Sequence, residues 1–219
     1  MKVVIIGGVA GGATAAARIR RLDEQAEIVV LERSGFISYA NCGLPYYIGG
    51  VIQDQEELTL QTPQGFWDRF RIDVRVRHEA TAIHREEKTV TVKNLETGEV
   101  TTESYDKLIL APGARPTRPP IPGLDSDRLF SLRTVEDTLA IRTFVEREKP
   151  RTAVLAGGGF ISLELAENLA EMGVQVTIVQ RIPQVMHNLD YDMATFLHAH
   201  LRQKGMTLRL GASVAGFRQ

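Results

Sequence analysis

Short runs of β-branched and aliphatic residues alternate along this chain with longer stretches whose apolar positions recur at helical spacing. Residues 3–6 are a continuous apolar run, the pattern of a strand covered on both faces. Residues 10–22, rich in Ala and Arg, predict a helix, and residues 28–31 a second strand. Residues 41–48 predict a short helix after a loop. Residues 62–71 predict another, with Thr62 as N-cap and Pro63 at the first helical position. Strand-like runs follow at 74–78, 89–93 and 100–103. The stretch Asn94-Leu95-Glu96-Thr97-Gly98 has hairpin composition, so these three predict a small antiparallel insert. Residues 108–110 return as a buried strand. Residues 112–123 hold five prolines and two glycines and read as a linker. A second alternation follows: helix 134–147, strand 153–156, helix 161–172, strand 175–179, helix 192–204 and strand 207–210.

This order predicts an α/β fold with parallel sheets. Composition narrows the class without choosing a function. The chain has 219 residues, 43% of them hydrophobic, with 26 Lys+Arg against 27 Asp+Glu and a net charge of −1. No basic excess points to nucleic acid, and no apolar run is long enough to span a membrane. The single cysteine excludes an intrachain disulfide and fits a reducing cytoplasm. His198 and His200 lie two apart on a helix and face different ways, so no metal site is expected.

Two glycine-rich turns carry the first chemistry. Gly7-Gly8-Val9-Ala10-Gly11-Gly12 sits between a predicted strand and helix, where Gly7 permits a tight turn and Gly12 a close helix–strand approach. The helix N-terminus then offers N–H groups and partial positive charge to a pyrophosphate. Val9 departs from the fingerprint at its middle glycine. Glu32, 20 residues past Gly12, is placed to accept ribose hydroxyls. The second turn, Gly157-Gly158-Gly159-Phe160-Ile161-Ser162, has Ser162 in place of the last glycine. Its second strand ends in Gln180-Arg181 rather than an acid. An arginine there pairs with a 2′-phosphate, which favours NADPH over NADH or admits both. Two such turns imply two nucleotides, with hydride passing from a nicotinamide to a flavin.

The segment Ser38-Tyr39-Ala40-Asn41-Cys42-Gly43-Leu44-Pro45-Tyr46-Tyr47 resembles the active-site segment of coenzyme A disulfide reductases, the single-cysteine branch of the pyridine nucleotide–disulfide oxidoreductases. The resemblance extends to the first glycine turn with Ala13-Thr14, to Glu32-Arg33, to the stretch from Tyr105 through Ala111-Pro112-Gly113-Ala114, and to Gly157 through Glu164. It implies a Rossmann-like FAD-binding domain with a small antiparallel β insert, followed by the first part of a second Rossmann-like NAD(P)-binding domain. It also implies that Cys42 is the nucleophile. A thiolate at the start of a helix attacks a disulfide sulfur and holds half the substrate as a mixed disulfide.

The resemblance further implies FAD contacts from Gly7, Gly8, Val9, Ala10, Gly11, Gly12, Glu32, Arg33, Asn41, Cys42, the backbone of Ala80, and Ala111, Pro112 and Gly113. Gly157, Gly159, Phe160, Ile161, Glu164, Gln180 and Arg181 fall to the nicotinamide nucleotide; Phe160 resembles the aromatic covering the flavin. Thr14, Arg18, Arg21, Ser38 and Asn41 fall to coenzyme A, and Arg18 and Arg21 share a helix face. The lysine of the family near residues 62–71 is Phe70 here, between Arg69 and Arg71.

Expected domains are 1–115 for FAD, 116–150 as linker and helix, and 151–219 for NAD(P). A nicotinamide domain starting near Arg151 needs more chain than remains, so the chain reads as part of a longer protein, a homodimer by resemblance, and inactive alone. Three functions stay open: reduction of coenzyme A disulfide or persulfide, an NADH oxidase or peroxidase using a cysteine sulfenic acid, and a nucleotide-binding module without catalysis.

Overall fold

Val3, Val4 and Ile5 of β1 (Lys2–Ile6) are all buried, which requires cover on both faces of the strand. The computed structural model describes residues 1–218. In chain order its elements continue with α1 (Ala10–Leu22), β2 (Glu27–Glu32), α2 (Leu44–Ile48), α3 (Pro63–Phe70), β3 (Asp73–Val76), β4 (His78–His84), β5 (Thr89–Asn94), β6 (Val100–Ser104) and β7 (Lys107–Leu110). Then come α4 (Val135–Glu148), β8 (Thr152–Ala156), α5 (Phe160–Glu171), β9 (Gln175–Gln180), α6 (Tyr191–Gln203) and β10 (Thr207–Leu210). They form two compact units. One comprises Met1–Asn41 and Glu56–Arg115; the other comprises Cys42–Gln55 and the chain from Pro116 onward.

The first unit is built on a parallel sheet ordered β3-β2-β1-β7. Successive strand residues feed opposite faces. Val3, Ile5, Ile28 and Val30 pack with Ala13 and Ala16 of α1, whose small side chains let the helix lie close, and with Phe66 of α3. Val4, Val29 and Leu31 pack instead with Val90 and Val92 of β5. The cover on that second face is an antiparallel sheet ordered β4-β5-β6.

The expectation that residues 74–78 belong to the antiparallel insert is corrected. Asp73–Val76 pairs in parallel with β2, and the first insert strand is β4. The chain changes sheets at Arg77, which is left-handed with φ 57°. Ala80 and Ala82 have little intrinsic β preference; pairing with β5 across a bulge makes them a strand. A charge cluster fastens this insert to the parallel sheet. Lys2 Nζ lies 2.8 Å from Glu27 and 2.6 Å from Glu103 of β6. Arg75 bridges Glu103 and Asp73.

The second unit repeats the βαβ arrangement with a parallel sheet ordered β10-β9-β8. Val176 and Ile178 of β9 pack with Leu165, Ala166 and Leu169 of α5, and with Ile141 and Val145 of α4. α4 starts in a capping box: Thr134 Oγ1 accepts the Asp137 N–H, and the Asp137 carboxylate accepts the Thr134 N–H. Ile48 of α2 enters this core. The Arg142 guanidinium of α4 lies 4.1 Å over the Tyr47 ring and donates to the Tyr47 carbonyl at 3.1 Å.

Burial opposes ionisation of Glu103, but the hydrogen bonds from Lys2 and Arg75 prevail and hold its carboxyl below the usual glutamate value. Its stabilisation is therefore complete above about pH 4.5 and lost as pH falls below that through the lowered folded value. Glu103→Gln is expected to cost about 1–2 kcal/mol at neutral pH and to flatten the acid limb of a melting-temperature profile. An acid limb as steep as the original assigns it to other groups.

Candidate functional site

The first glycine turn closes against its own framework. Gly7 has φ 101°, which an L side chain rarely adopts, and its N–H donates to the Leu31 carbonyl at 2.8 Å. A Cβ on Gly7 would overlap the Ala111 carbonyl, and one on Gly12 would overlap the carbonyl of Gly7. A Cβ on Gly8 would sit 2.9 Å from Ile37 Cγ2. Gly11, by contrast, faces outward and would meet only Ala111 Cβ at 3.5 Å. Val9 is the N-cap of α1 at φ −94°, so no positive φ calls for glycine at this position.

α1 carries no side-chain cap and no acid in its first turn. By helix geometry its first N–H groups have no intrahelical partner, and Ala10 and Gly11 are exposed. This donor set suits an anion. Glu32 is buried at the end of β2, where one carboxylate oxygen accepts the Gly8 N–H at 2.7 Å and the other the Ser34 N–H at 2.7 Å. Besides marking the strand end, it therefore stitches the turn to β2. Arg33 is exposed, 3.7 Å from Glu79. Ala80 lies at the β4 bulge; Ala111 N–H donates to the Ile6 carbonyl at 2.8 Å, and Pro112 and Gly113 follow, exposed.

The second turn reproduces the first. Gly157 has φ 112° and donates to the Val179 carbonyl at 2.8 Å. Gly159 is the N-cap of α5, again without a side-chain cap, and Phe160 and Ile161 beyond it are exposed. Each turn is braced by a bend past the second strand. The Gly8 carbonyl accepts the Ser38 N–H at 3.0 Å; the Gly158 carbonyl accepts the Met186 N–H at 2.7 Å. Ser38 and Met186 are both left-handed, at φ 46° and 50°, and each follows a buried aliphatic residue, Ile37 seated on Gly8 or Val185 seated on Gly158. These braces were missed in the sequence. Ser38 stands 30 positions after Gly8 and Met186 28 after Gly158, and since neither the spacing nor the residue type repeats, the sequence carried no signal for them.

The two strand ends differ. Gln180 replaces Glu32, and its side-chain oxygen accepts the Arg181 N–H at 2.9 Å, leaving the Arg181 side chain exposed. Glu164 is half-buried, and its carbonyl accepts from Asn168 Nδ2 at 2.8 Å.

Cys42 is a free, exposed thiol. It is the middle residue of a 3-10 turn, Asn41–Gly43; α2 begins two residues later, at Leu44. The expected start of a helix at the cysteine is thus a 3-10 turn leading into five residues of α-helix. α2 belongs to the second unit, where a Cβ on Gly49 would overlap Asn168 Oδ1 of α5.

Thr14, Arg18 and Arg21 are exposed on α1. Arg20 between them is committed elsewhere: it donates to the carbonyls of Phe70, Asp23, Glu24 and Arg71, tying the ends of α1 and α3 together. Arg71 lies over the Trp67 ring at 5.6 Å. His200 is exposed and His198 buried, and no cluster of metal-ligating side chains occurs among the described residues. No helix among them is long and apolar enough to cross a membrane.

The family model for pyridine nucleotide-disulphide oxidoreductases matches residues 1–219. The chain belongs to this family. Within the oxidoreductases, coenzyme A disulfide reductases from Staphylococcus epidermidis and Staphylococcus haemolyticus are 42% and 41% identical to it, over 98% and 97% of this chain. The chain spans about half the length of these relatives, 48% in each case. Reduced Bacillus anthracis CoADR-RHD superposes with TM-score 0.97 at 47% identity, over all of this chain and 39% of that one. An NAD-dependent persulfide reductase from A. fulgidus gives 0.95 at 36%, over all of this chain and 41% of that one. The water-forming NADH oxidase of Lactobacillus brevis gives 0.92 at 33%, over all of this chain and 48% of that one.

A pair of substitutions separates close backbone approach from glycine composition. Gly12→Ala drives a methyl into the Gly7 carbonyl and is expected to cost about 1–3 kcal/mol. Gly159→Ala meets nothing within 4 Å at φ −87° and should leave the melting temperature nearly unchanged. Equal effects would contradict the packing argument.

Proposed function

We propose that this chain is the N-terminal part of a flavoprotein that passes electrons from NAD(P)H through FAD to Cys42, which reduces coenzyme A disulfide or a coenzyme A persulfide or polysulfide. The observation that carries the reading is a lone, exposed thiol in a chain with two dinucleotide-type turns and coenzyme A disulfide reductases as 42%-identical relatives. Residues 1–115 are assigned to FAD and 151–219 to NAD(P), with 116–150 between. The exposed N–H groups of Ala10 and Gly11 would meet the FAD pyrophosphate, and Glu32 its ribose. Bound FAD would supply a two-electron relay from nicotinamide to sulfur. The whole protein is proposed to be a cytoplasmic homodimer.

On the sulfur side, the Cys42 thiolate attacks one sulfur of R–S–S–R. The substrate S–S bond breaks, one RS⁻ leaves, and Cys42–S–S–R forms. Two electrons, originating in NAD(P)H, then cleave that bond and restore the Cys42 thiolate with release of the second RS⁻. The net change is one NAD(P)H, one proton and one disulfide into NAD(P)⁺ and two thiols. Lacking a second cysteine, the chain takes its partner sulfur from the substrate. Arg18 and Arg21, exposed on α1, would meet coenzyme A phosphates with Thr14 beside them; Ser38 and Asn41 would line the thiol side.

The NADH oxidase reading has one observation in its favour, the 0.92 superposition on the Lactobacillus enzyme. In that reading Cys42 cycles through sulfenic acid. Mass spectrometry of full-length protein treated with coenzyme A disulfide separates the two: a coenzyme A adduct on Cys42 supports the first, an oxidised but unconjugated thiol the second. Cys42→Ser is expected to abolish disulfide reduction while flavin bleaching by NAD(P)H persists. Unchanged turnover in that variant overturns the proposal.

Arg181 is the proposed 2′-phosphate contact. A neighbouring structure is an NADPH oxidase engineered from the Lactobacillus enzyme, in part by removing an aspartate and adding arginines, and bound to NADPH. Arg181→Ala is expected to weaken NADPH binding about tenfold, the worth of one charge-assisted hydrogen bond, and to leave NADH binding unchanged. Equal losses for both nucleotides would remove the assignment.

A further inference from the structure

The bend behind the second glycine turn is hydrogen-bonded to a histidine that the proposed chemistry does not use. His198 of α6 is 4% exposed, and its Nε2 accepts the Val185 backbone N–H at 3.1 Å. Val185 is fully buried, and its Cγ1 lies 3.0 Å from the position of a Cβ on Gly158. The next residue, Met186, is left-handed and donates to the Gly158 carbonyl at 2.7 Å. A continuous path therefore runs from the imidazole through one peptide to the middle of the glycine turn. The equivalent bend in the first unit is held differently: the Ser38 carbonyl accepts the Leu60 N–H at 2.9 Å, and the Ala40 N–H reaches the Leu58 carbonyl at 3.1 Å. The second bend also has a backbone bond, from the Leu189 N–H to the Met186 carbonyl at 2.8 Å, and Gln184 Nε2 donates to the Leu189 carbonyl at 2.8 Å; what it adds is a bond to a titratable side chain.

We propose that His198 is a positioning residue for the nicotinamide nucleotide, holding the 185–186 bend, and through it the Gly157-Gly158-Gly159 turn, in binding shape only while its imidazole is neutral. This rests on reading that turn as the NAD(P) site. To accept the Val185 N–H, Nε2 must be unprotonated, with the ring proton on Nδ1. A protonated ring has two donors and no acceptor, so it faces the amide N–H with a like dipole and leaves it unsatisfied.

The surroundings favour the neutral form. Burial, and secondarily the positive charge of Arg202 on the same helix, lower the His198 pKa from 6.5. Tyr191 presents its ring at 6.4 Å between centroids. The only charged residue of β10, the strand packed on α6, is Arg209, which is exposed. The bend itself contributes the Val185 amide. Because the folded pKa is lowered, the brace is intact at and above the ordinary histidine value and is lost only as pH falls further, through the lowered folded value.

The test uses full-length, FAD-loaded protein and NAD⁺, which lacks a 2′-phosphate that would itself titrate. Calorimetric affinity is measured across about pH 5–8 for the unsubstituted protein, His198→Gln and His198→Leu. The unsubstituted protein should hold a constant affinity at the alkaline end and weaken about tenfold toward the acid end. H198Q, whose amide oxygen accepts the same N–H without titrating, should keep the affinity and lose the acid weakening. H198L should bind weakly at every pH, with FAD content unchanged. An acid limb retained in H198Q, or full affinity in H198L, overturns the proposal. If H198L does not fold, the H198Q profile decides alone. Absence of NAD⁺ binding by the unsubstituted protein would instead reject the nucleotide reading of the turn.

Discussion

Everything at the first site depends on how closely two stretches of backbone approach. The Cα of Gly12 lies against the carbonyl of Gly7, and the Cα of Gly7 against that of Ala111, with no room for a methyl at either place. That proximity lets α1 start directly above the sheet, so its N-terminal amides point past the strand ends rather than into a loop. The second unit repeats the opening geometry, with nearly the same φ at Gly157 and the same amide-to-strand bond. Gly159 has open space around it, so that turn is looser than the first.

Charge separates the two turns more than shape does. In the first, a buried carboxylate accepts two backbone N–H groups, which makes Glu32 a structural stitch. In the second, Gln180 makes a local bond and the neighbouring cation stays free in solvent. The first strand end thus presents a buried acid and the second an exposed cation.

Legibility in the sequence follows the range of the interactions involved. Helices with local signals were readable to within a residue or two: Thr62 caps α3 as expected, and the helix expected over 134–147 runs over Val135–Glu148 with Thr134 as its cap. The glycine turns were readable because the positive φ of Gly7 and Gly157 and the tight seat of Gly12 call for glycine. The division between β3 and β4 was not, since Val74 to His78 alternates smoothly and only the left-handed Arg77 and pairing with β5 break it. The bends at Ser38 and Met186 were also invisible, because nothing in serine or methionine announces a left-handed backbone. Their conformation is imposed by carbonyls some thirty residues away in sequence. Arg20 carried no expectation in the sequence; four carbonyls brought in by folding make it a structural tie.

The excursion of Cys42–Gln55 has a topological outcome. The polypeptide passes from one compact unit to the other three times: after Asn41, after Gln55 and after Arg115. Severing the proline-rich stretch beyond Arg115 would leave two covalent passages intact, so the units are not beads on a single string. A piece ending at that stretch would keep the exposed thiol of Cys42 but strip Ile48 and Tyr47 of the aliphatic floor and guanidinium lid they rest on. Excising either half for separate study therefore means rerouting the loop that bears the sulfur, not merely choosing where to cut.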